Sequence, residues 1–210
     1  MRHSSILALS FALLGGFHAT ATTVAVYDFE DGTTQGWTSF FGSTSPANTT
    51  AAAFSGTHSL LTTTSSSGTG GPGISLTSLL LPGATYSITG EVMLTSGESA
   101  TDANFTIKRS DPSCSGGTCF DTIGTFLVPV TDNGWAQIGG DYTVSSTETG
   151  LFLYAQLVGI TTAQSFYLDD VVINETSPPP PSAVPEPASI WLIPAALVSL
   201  LMAWRRRLPA

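Results

Sequence analysis

The side chains able to do chemistry in this 210-residue chain are carboxylates and amides rather than nucleophiles. Glu30 and Asp31 stand near the start of the part that folds, and Asp169 and Asp170 near its end. If the fold brings those two ends side by side, four acids meet with no Lys or Arg between them, and they repel one another unless a cation neutralises them. Calcium suits such a group better than zinc, because it takes six to eight oxygen ligands and accepts backbone carbonyls among them. The alternative is two surface turns carrying solvated acids.

A second set of residues has the chemistry of sugar recognition, which needs an aromatic face to stack on a pyranose and amides or carboxylates to bond its hydroxyls. Period-two alternation puts Glu91 with Ser87 and Thr89, opposite Tyr86, Ile88, Val92 and Leu94. In the same way Asn104 opposes Phe105, Gln137 lies with Trp135 and Asp141, and Tyr154 lies with Gln156. If these polar faces belong to one sheet, Glu91, Asn104, Gln137, Tyr154 and Gln156 line a shallow groove. The alternative is an ordinary solvated face, with Tyr154 and Trp135 in the core.

Catalysis finds little to work with. His58 is the only histidine beyond the first 21 residues, and no Gly-x-Ser-x-Gly is present. Cys114 and Cys119 are separated by Ser-Gly-Gly-Thr, which in an oxidising compartment predicts a local disulfide across a Gly-Gly turn. Two ligands are too few for a metal, and no histidine is nearby in sequence. A glycosidase needs two carboxylates flanking a cleft, and Glu91 with Asp141 is the one pair worth placing. The expectation is a protein that is not an enzyme.

The elements that must position these residues are strands. Between the two ends the chain is rich in Thr, Ser, Gly, Val and aromatics and poor in the Glu, Lys and Arg of exposed helices. Short alternating runs separated by Gly, Pro, Asn or Ser predict strands at 24–29, 37–41, 50–54, 59–63, 74–80, 85–94, 104–109, 120–127, 135–144, 151–158 and 165–173. Such a series makes an all-β antiparallel sandwich over residues 22–176. Residues 62–73, with Ser-Ser-Ser-Gly-Thr-Gly-Gly-Pro-Gly, read as a flexible loop. Fourteen acidic residues from Asp28 to Glu175 face only Lys108 and Arg109 in this region, so nucleic acid and anionic lipid are poor partners.

Both ends read as targeting segments. Arg2 and His3, the apolar run 6–17 and Ala19-Thr20-Ala21 make residues 1–21 a secretory signal peptide. A Pro-rich linker, 177–184, precedes Pro185-Glu186-Pro187, an apolar stretch 188–204 that suits a transmembrane helix, and Arg205, Arg206 and Arg207. The arginines stay cytoplasmic and leave the rest of the chain outside.

This tail resembles the PEP-CTERM sorting signal of Gram-negative bacteria, with Val-Pro-Glu-Pro-Ala-Ser at 184–189 followed by the span and the basic cluster. The resemblance implies an exosortase-type processing enzyme as partner. It also implies insertion in the cytoplasmic membrane by the C-terminal helix, then delivery to the cell surface or the exopolysaccharide matrix. The domain between the ends carries Asp28-Phe29-Glu30-Asp31-Gly32 with Gly36-Trp37, Gly56-Thr57-His58-Ser59-Leu60, Ala84-Thr85-Tyr86-Ser87-Ile88, Trp135 and Phe166-Tyr167-Leu168-Asp169-Asp170-Val171. In that order they resemble the jelly-roll carbohydrate-binding modules of families four, nine and twenty-two. This resemblance implies a jelly-roll sandwich with Trp37 and Trp135 in structural positions. It further implies non-catalytic binding of an extracellular polysaccharide and a structural calcium held by Glu30 with Asp169 or Asp170. The competing expectation is a matrix protein or adhesin of the same fold without a sugar site.

Overall fold

The computed structural model describes residues 21–65 and 70–180. The expected signal peptide except Ala21, the Pro185-Glu186-Pro187 motif, the span 188–204 and Arg205 to Arg207 lie outside the described residues. Among the described residues no helix is long and apolar enough to cross a membrane.

Among the described residues eleven strands follow one another: β1 Thr22–Tyr27, β2 Thr38–Phe40, β3 Ala47–Thr49, β4 Ser59–Thr63, β5 Gly71–Ser75, β6 Thr85–Leu94, β7 Thr101–Ser110, β8 Thr118–Val130, β9 Ala136–Thr143, β10 Thr149–Val158 and β11 Ser165–Ser177. They form two antiparallel sheets. One has six strands in the order β3-β4-β11-β6-β9 with β1 also on β11, and the other has five in the order β2-β5-β10-β7-β8. The two ends of the domain therefore meet. β4 pairs with β11 from Ser165 to Leu168, β1 pairs with it from Val171 to Glu175, and a bulge between Asp169 and Val172 separates the two stretches.

Alternation decides which side chains go inside. Along β6, Tyr86, Ile88, Val92 and Leu94 are fully buried, and along β10, Leu151, Leu153, Ala155 and Leu157 are buried too. They pack between the sheets with Phe29, Trp37, Phe105, Phe166 and Ile123, each large apolar side chain contributing about 1.5–3 kcal/mol by leaving water. Both sheets, this core and the Cys114–Cys119 disulfide, Cα–Cα 5.5 Å, fall within Thr22–Ser177, so that fragment carries its own fold.

Three sequence expectations are corrected. Residues 50–54 form no strand; Thr49 ends β3 and the chain loops to Ser59. The apolar run 74–80 leaves the sheet at Ser75, and Leu79 and Leu80 donate their N–H groups to Leu76 O. That single turn lets Leu76 and Leu80, four residues apart, bury on one side, so the period here is helical rather than two. The expected loop 62–73 is framed by strand at both ends, because Thr62 and Thr63 belong to β4 and Gly71 to Gly73 to β5.

Candidate functional site

The outer face of the five-stranded sheet holds a groove of about 450 Å³ lined by Phe41, Thr106, Phe120, Thr122, Phe126, Tyr154 and Gln156. Its floor is built by register. Tyr154 on β10 stands opposite Gly73 of β5 and Thr106 of β7, and Thr106 stands opposite Thr122 of β8. One step along, Gln156 faces Asn104, and one step back, Phe152 faces Lys108. Gly73 is required here, because a Cβ at that position would run into the Phe152 ring and would meet Leu153 O at 2.8 Å.

Aromatic rings close one side. Phe40, at the end of β2, lies 4.6 Å from Phe152 and 4.7 Å from Tyr154, and Phe41 stands edge-on to Tyr154 at 6.0 Å and tilted on Phe120 at 5.6 Å. The Lys108 ammonium sits 5.7 Å over the Phe40 ring. Tyr154 is only 4% exposed, and burial pushes its phenol up, so it is a neutral donor at ordinary pH.

The other side is a bulge in β8. Ile123 pairs with Phe105 and Val128 with Ala103, so the four residues from Gly124 to Leu127 lie opposite the single Asn104. Gly124, at φ 68°, turns the chain outward where the backbone of Gly139 leaves no space for a side chain. Phe126 then projects from the bulge 60% exposed, and its carbonyl accepts from Asn104 Nδ2 at 2.8 Å. Asn104 itself is fully buried, and its Oδ1 accepts from Thr106 Oγ1 at 3.1 Å and Gln156 Nε2 at 3.0 Å. Gln156 also donates to Thr106 Oγ1 at 3.2 Å, which commits its nitrogen to the sheet and turns its Oε1 to the groove.

The expectation of one five-residue groove is corrected by sheet order. Asn104, Tyr154 and Gln156 come together on the five-stranded sheet, whereas Glu91 and Gln137 pair across β6 and β9 of the other one. There Gln137 Nε2 donates to Glu91 Oε1 at 3.0 Å. Trp135, expected in the core, is only half-buried on the outer face of that sheet, whereas Trp37 is in the core at 1% exposed. Phe41, Phe120 and Phe126 were not among the expected site residues. Alternation sets Phe120 apart from the buried Ile123, whereas Phe41 shares the parity of the buried Trp37 and leaves it where its backbone turns left-handed, φ 48°.

The acids at the two ends converge on one loop rather than on each other. Glu30 Oε1 accepts from Thr57 N at 2.9 Å and His58 N at 2.7 Å, and its Oε2 from Thr57 Oγ1 at 3.0 Å, which holds the carboxyl below its usual range. Asp169 is fully buried; its Oδ2 accepts from Phe54 N at 2.7 Å and Ser55 N at 3.4 Å, and its Oδ1 from Asp170 N at 2.8 Å. Burial outweighs these donors and pushes it up to about 6. Asp170 Oδ1 accepts from Ser55 Oγ at 3.0 Å. Among the described residues no three Asp, Glu, His or Cys side chains group as a metal site. Glu30 and Asp169 thus already take backbone N–H donors, whereas Asp170 takes only the Ser55 hydroxyl among the described residues. His58 also serves the loop, its Nδ1 lying 2.6 Å from Asn48 Oδ1.

The one candidate catalytic pair is too far apart. Asp141 pairs with Ser87 and Gln137 with Glu91, so Glu91 and Asp141 are four residues apart along the strands. That is about 13 Å, beyond the roughly 5–9.5 Å that separates glycosidase carboxylates.

A protein-family model described as a carbohydrate binding domain matches residues 21–162. The chain is 33% identical over 148 residues to endo-1,4-beta-xylanase C of Paenibacillus barcinonensis, covering 70% of this chain and 13% of that enzyme. It is 30% identical over 153 residues to endo-1,4-beta-xylanase A of Thermoanaerobacterium saccharolyticum, covering 72% of this chain and 13% of that one. The match thus spans only a small part of these curated relatives. Among solved structures, the CBM22-1 xylan-binding domain from Paenibacillus barcinonensis Xyn10C superimposes with a TM-score of 0.68 at 30% identity, over 75% of this chain and 97% of that domain. The C-terminal family 22 module of Clostridium thermocellum Xyn10B shares the fold, with a TM-score of 0.65 at 23% identity over 73% of this chain and 93% of that one.

Proposed function

The chain belongs to the carbohydrate binding domain family, and from that membership we propose that it is a non-catalytic module holding a xylan-like neutral polysaccharide across its five-stranded sheet. The observation that carries this reading is the pairing in one groove of an aromatic wall with amide and hydroxyl groups already oriented by the sheet. Phe41, Phe120, Phe126 and Tyr154 supply faces and edges for the apolar sides of successive pyranose rings. Gln156 Oε1, Thr122 and the Tyr154 phenol supply acceptors and donors for ring hydroxyls. Because Asn104 and Thr106 fix Gln156 before any ligand arrives, little side-chain freedom is lost on binding. A xylan ligand is supported by the xylan-binding domain that superimposes at 30% identity.

The remaining parts of the proposal rest on the sequence of the ends. The module is exported by residues 1–21 and sorted by the segment from Pro185 to Arg207 through an exosortase-type enzyme, to act at the cell surface or in the polysaccharide matrix. Loss of surface delivery on deletion of 185–210, read by fractionation of the producing cells, is the expected result; unchanged delivery overturns this part.

The binding proposal is tested by electrophoresis of residues 22–179 through gels containing soluble xylan, mixed-linkage glucan or mannan. Retardation by xylan that Gln156→Ala and Tyr154→Ala each weaken is expected. A folded domain that no polymer retards ends the proposal and leaves a structural role in the matrix.

A further inference from the structure

The outer face of the six-stranded sheet carries a second set of rings and polar groups that the groove does not use. Trp135, just ahead of β9, stands edge-on to Phe54 at 6.0 Å and tilted on Tyr167 at 6.3 Å. Phe54 is 50% exposed, and Trp135 and Tyr167 are half-buried. Tyr167 stands opposite Met93, and Glu91 stands opposite both Gln137 and Asp169, so rings and polar groups occupy adjacent rows of one face. Phe54 is fixed over this face by its N–H on Asp169.

The polar row keeps one acceptor without a protein donor among the described residues. Glu91 is 8% exposed, Gln137 Nε2 donates to its Oε1, and no described residue donates to its Oε2. Burial raises this carboxyl, which means that water does not solvate the charge fully and that a hydroxyl donor there is welcome. The described residues contain no other Lys or Arg than Lys108 and Arg109, and both stand on β7 of the opposite sheet. An anionic ligand is therefore repelled by Glu91 and Asp170. An apolar protein surface would cover the carboxylate without bonding it, at a cost. The occupant that fits is neutral and presents a flat apolar side together with hydroxyl donors about two residues away along the strand, roughly 7 Å. A pyranose chain has that chemistry.

We propose that this face is a second glycan-stacking site, with Trp135 and Phe54 as its rings and Glu91 and Gln137 as its hydroxyl partners, so that one domain bridges two polysaccharide chains. The inference rests on the reading of the module as glycan-binding. Two packed sheets, about 10 Å apart, lie between this face and the groove, so one stretch of polymer cannot serve both. A bridging module cross-links a matrix, whereas a single-site module only attaches to it.

The fragment 22–179 makes the test selective, because its tryptophans are Trp37, which is 1% exposed, and Trp135. The groove contains no tryptophan, so quenching of indole emission by acrylamide reports on the outer face alone. Added xylohexaose is expected to reduce the quenching constant at least twofold, in the wild-type fragment and equally in Tyr154→Ala. Gln156→Ala serves as the groove variant if Tyr154→Ala does not fold. Trp135→Ala is expected to keep retardation in xylan gels while the calorimetric stoichiometry falls from two ligands to one. Unchanged quenching at saturating xylohexaose, with retardation still dependent on Tyr154, overturns the second site and leaves the groove reading intact. Protection of Trp135 that follows protein concentration rather than sugar also overturns it, and assigns the face to a second copy of the chain. Absence of both retardation and protection removes both proposals.

Discussion

Gln156 donates Nε2 to Asn104 Oδ1 at 3.0 Å across the β7–β10 pairing, and Asn104 is fully buried beneath the β8 bulge. Asn104 thus acts on the groove from below. Its own Nδ2 is spent on the Phe126 carbonyl, so one buried amide holds both the polar floor and the aromatic wall in place.

Asn104→Ala is therefore expected to leave the Phe126 carbonyl and one Gln156 proton unpaired, a loss of about 1–3 kcal/mol. The denaturant midpoint should fall, and xylan retention should fall with it. Loss of retention at unchanged stability would contradict the role of Asn104 as a support.

Phe126 has the opposite profile, since it is 60% exposed and its ring meets little of the fold. Phe126→Ala should change the melting midpoint very little and weaken polysaccharide binding roughly fivefold, the equivalent of about 1 kcal/mol of ring contact. Affinity electrophoresis beside thermal unfolding separates the two effects, and a large stability loss with normal binding would refute this assignment.

Asp169 titrates at about 6 in the folded protein against an ordinary value of 3.8. Between those values the folded protein keeps a proton that the unfolded chain has released, so stability falls as pH rises from about 4 to 6 and is level above. Asp169→Asn should lose most of that slope, with Glu91, also raised by burial, keeping the remainder. Glu30, Asp31 and Asp111 are held low and act in the other sense, withdrawing stability below about pH 4 as they protonate. Thermal midpoints from pH 4 to 8 check this, and a wild-type midpoint that climbs between 4 and 6 would defeat it.

Calcium is expected to leave the melting midpoint unchanged, because backbone N–H groups occupy the carboxylate oxygens of Glu30 and Asp169. The comparison is between millimolar calcium and a chelator. A higher midpoint in calcium would show that the carboxylates turn away from those donors to an ion, since a ligand bound only to the folded state stabilises it.

What the sequence determined by itself was local. The inward and outward faces of β6 and β10 followed from alternation, because a strand has a period of two wherever it lies. The Cys114–Cys119 bridge followed from five residues of separation across a Gly-Gly turn. The meeting of the domain's ends on β11 was also legible, through the resemblance of its first and last motifs to a known sandwich. Sheet order was not legible. Glu91 and Asn104 look alike as polar residues on alternating strands, yet β6 and β7 enter different sheets, and hydrogen-bond pairing between strands distant in sequence decides that. The bulge from Gly124 to Leu127 was equally hidden, because it exists where the backbone of β9 crowds Gly124. Tertiary contact alone therefore decided that Phe126 walls the groove and that Glu91, Gln137 and Trp135 stand on the opposite face.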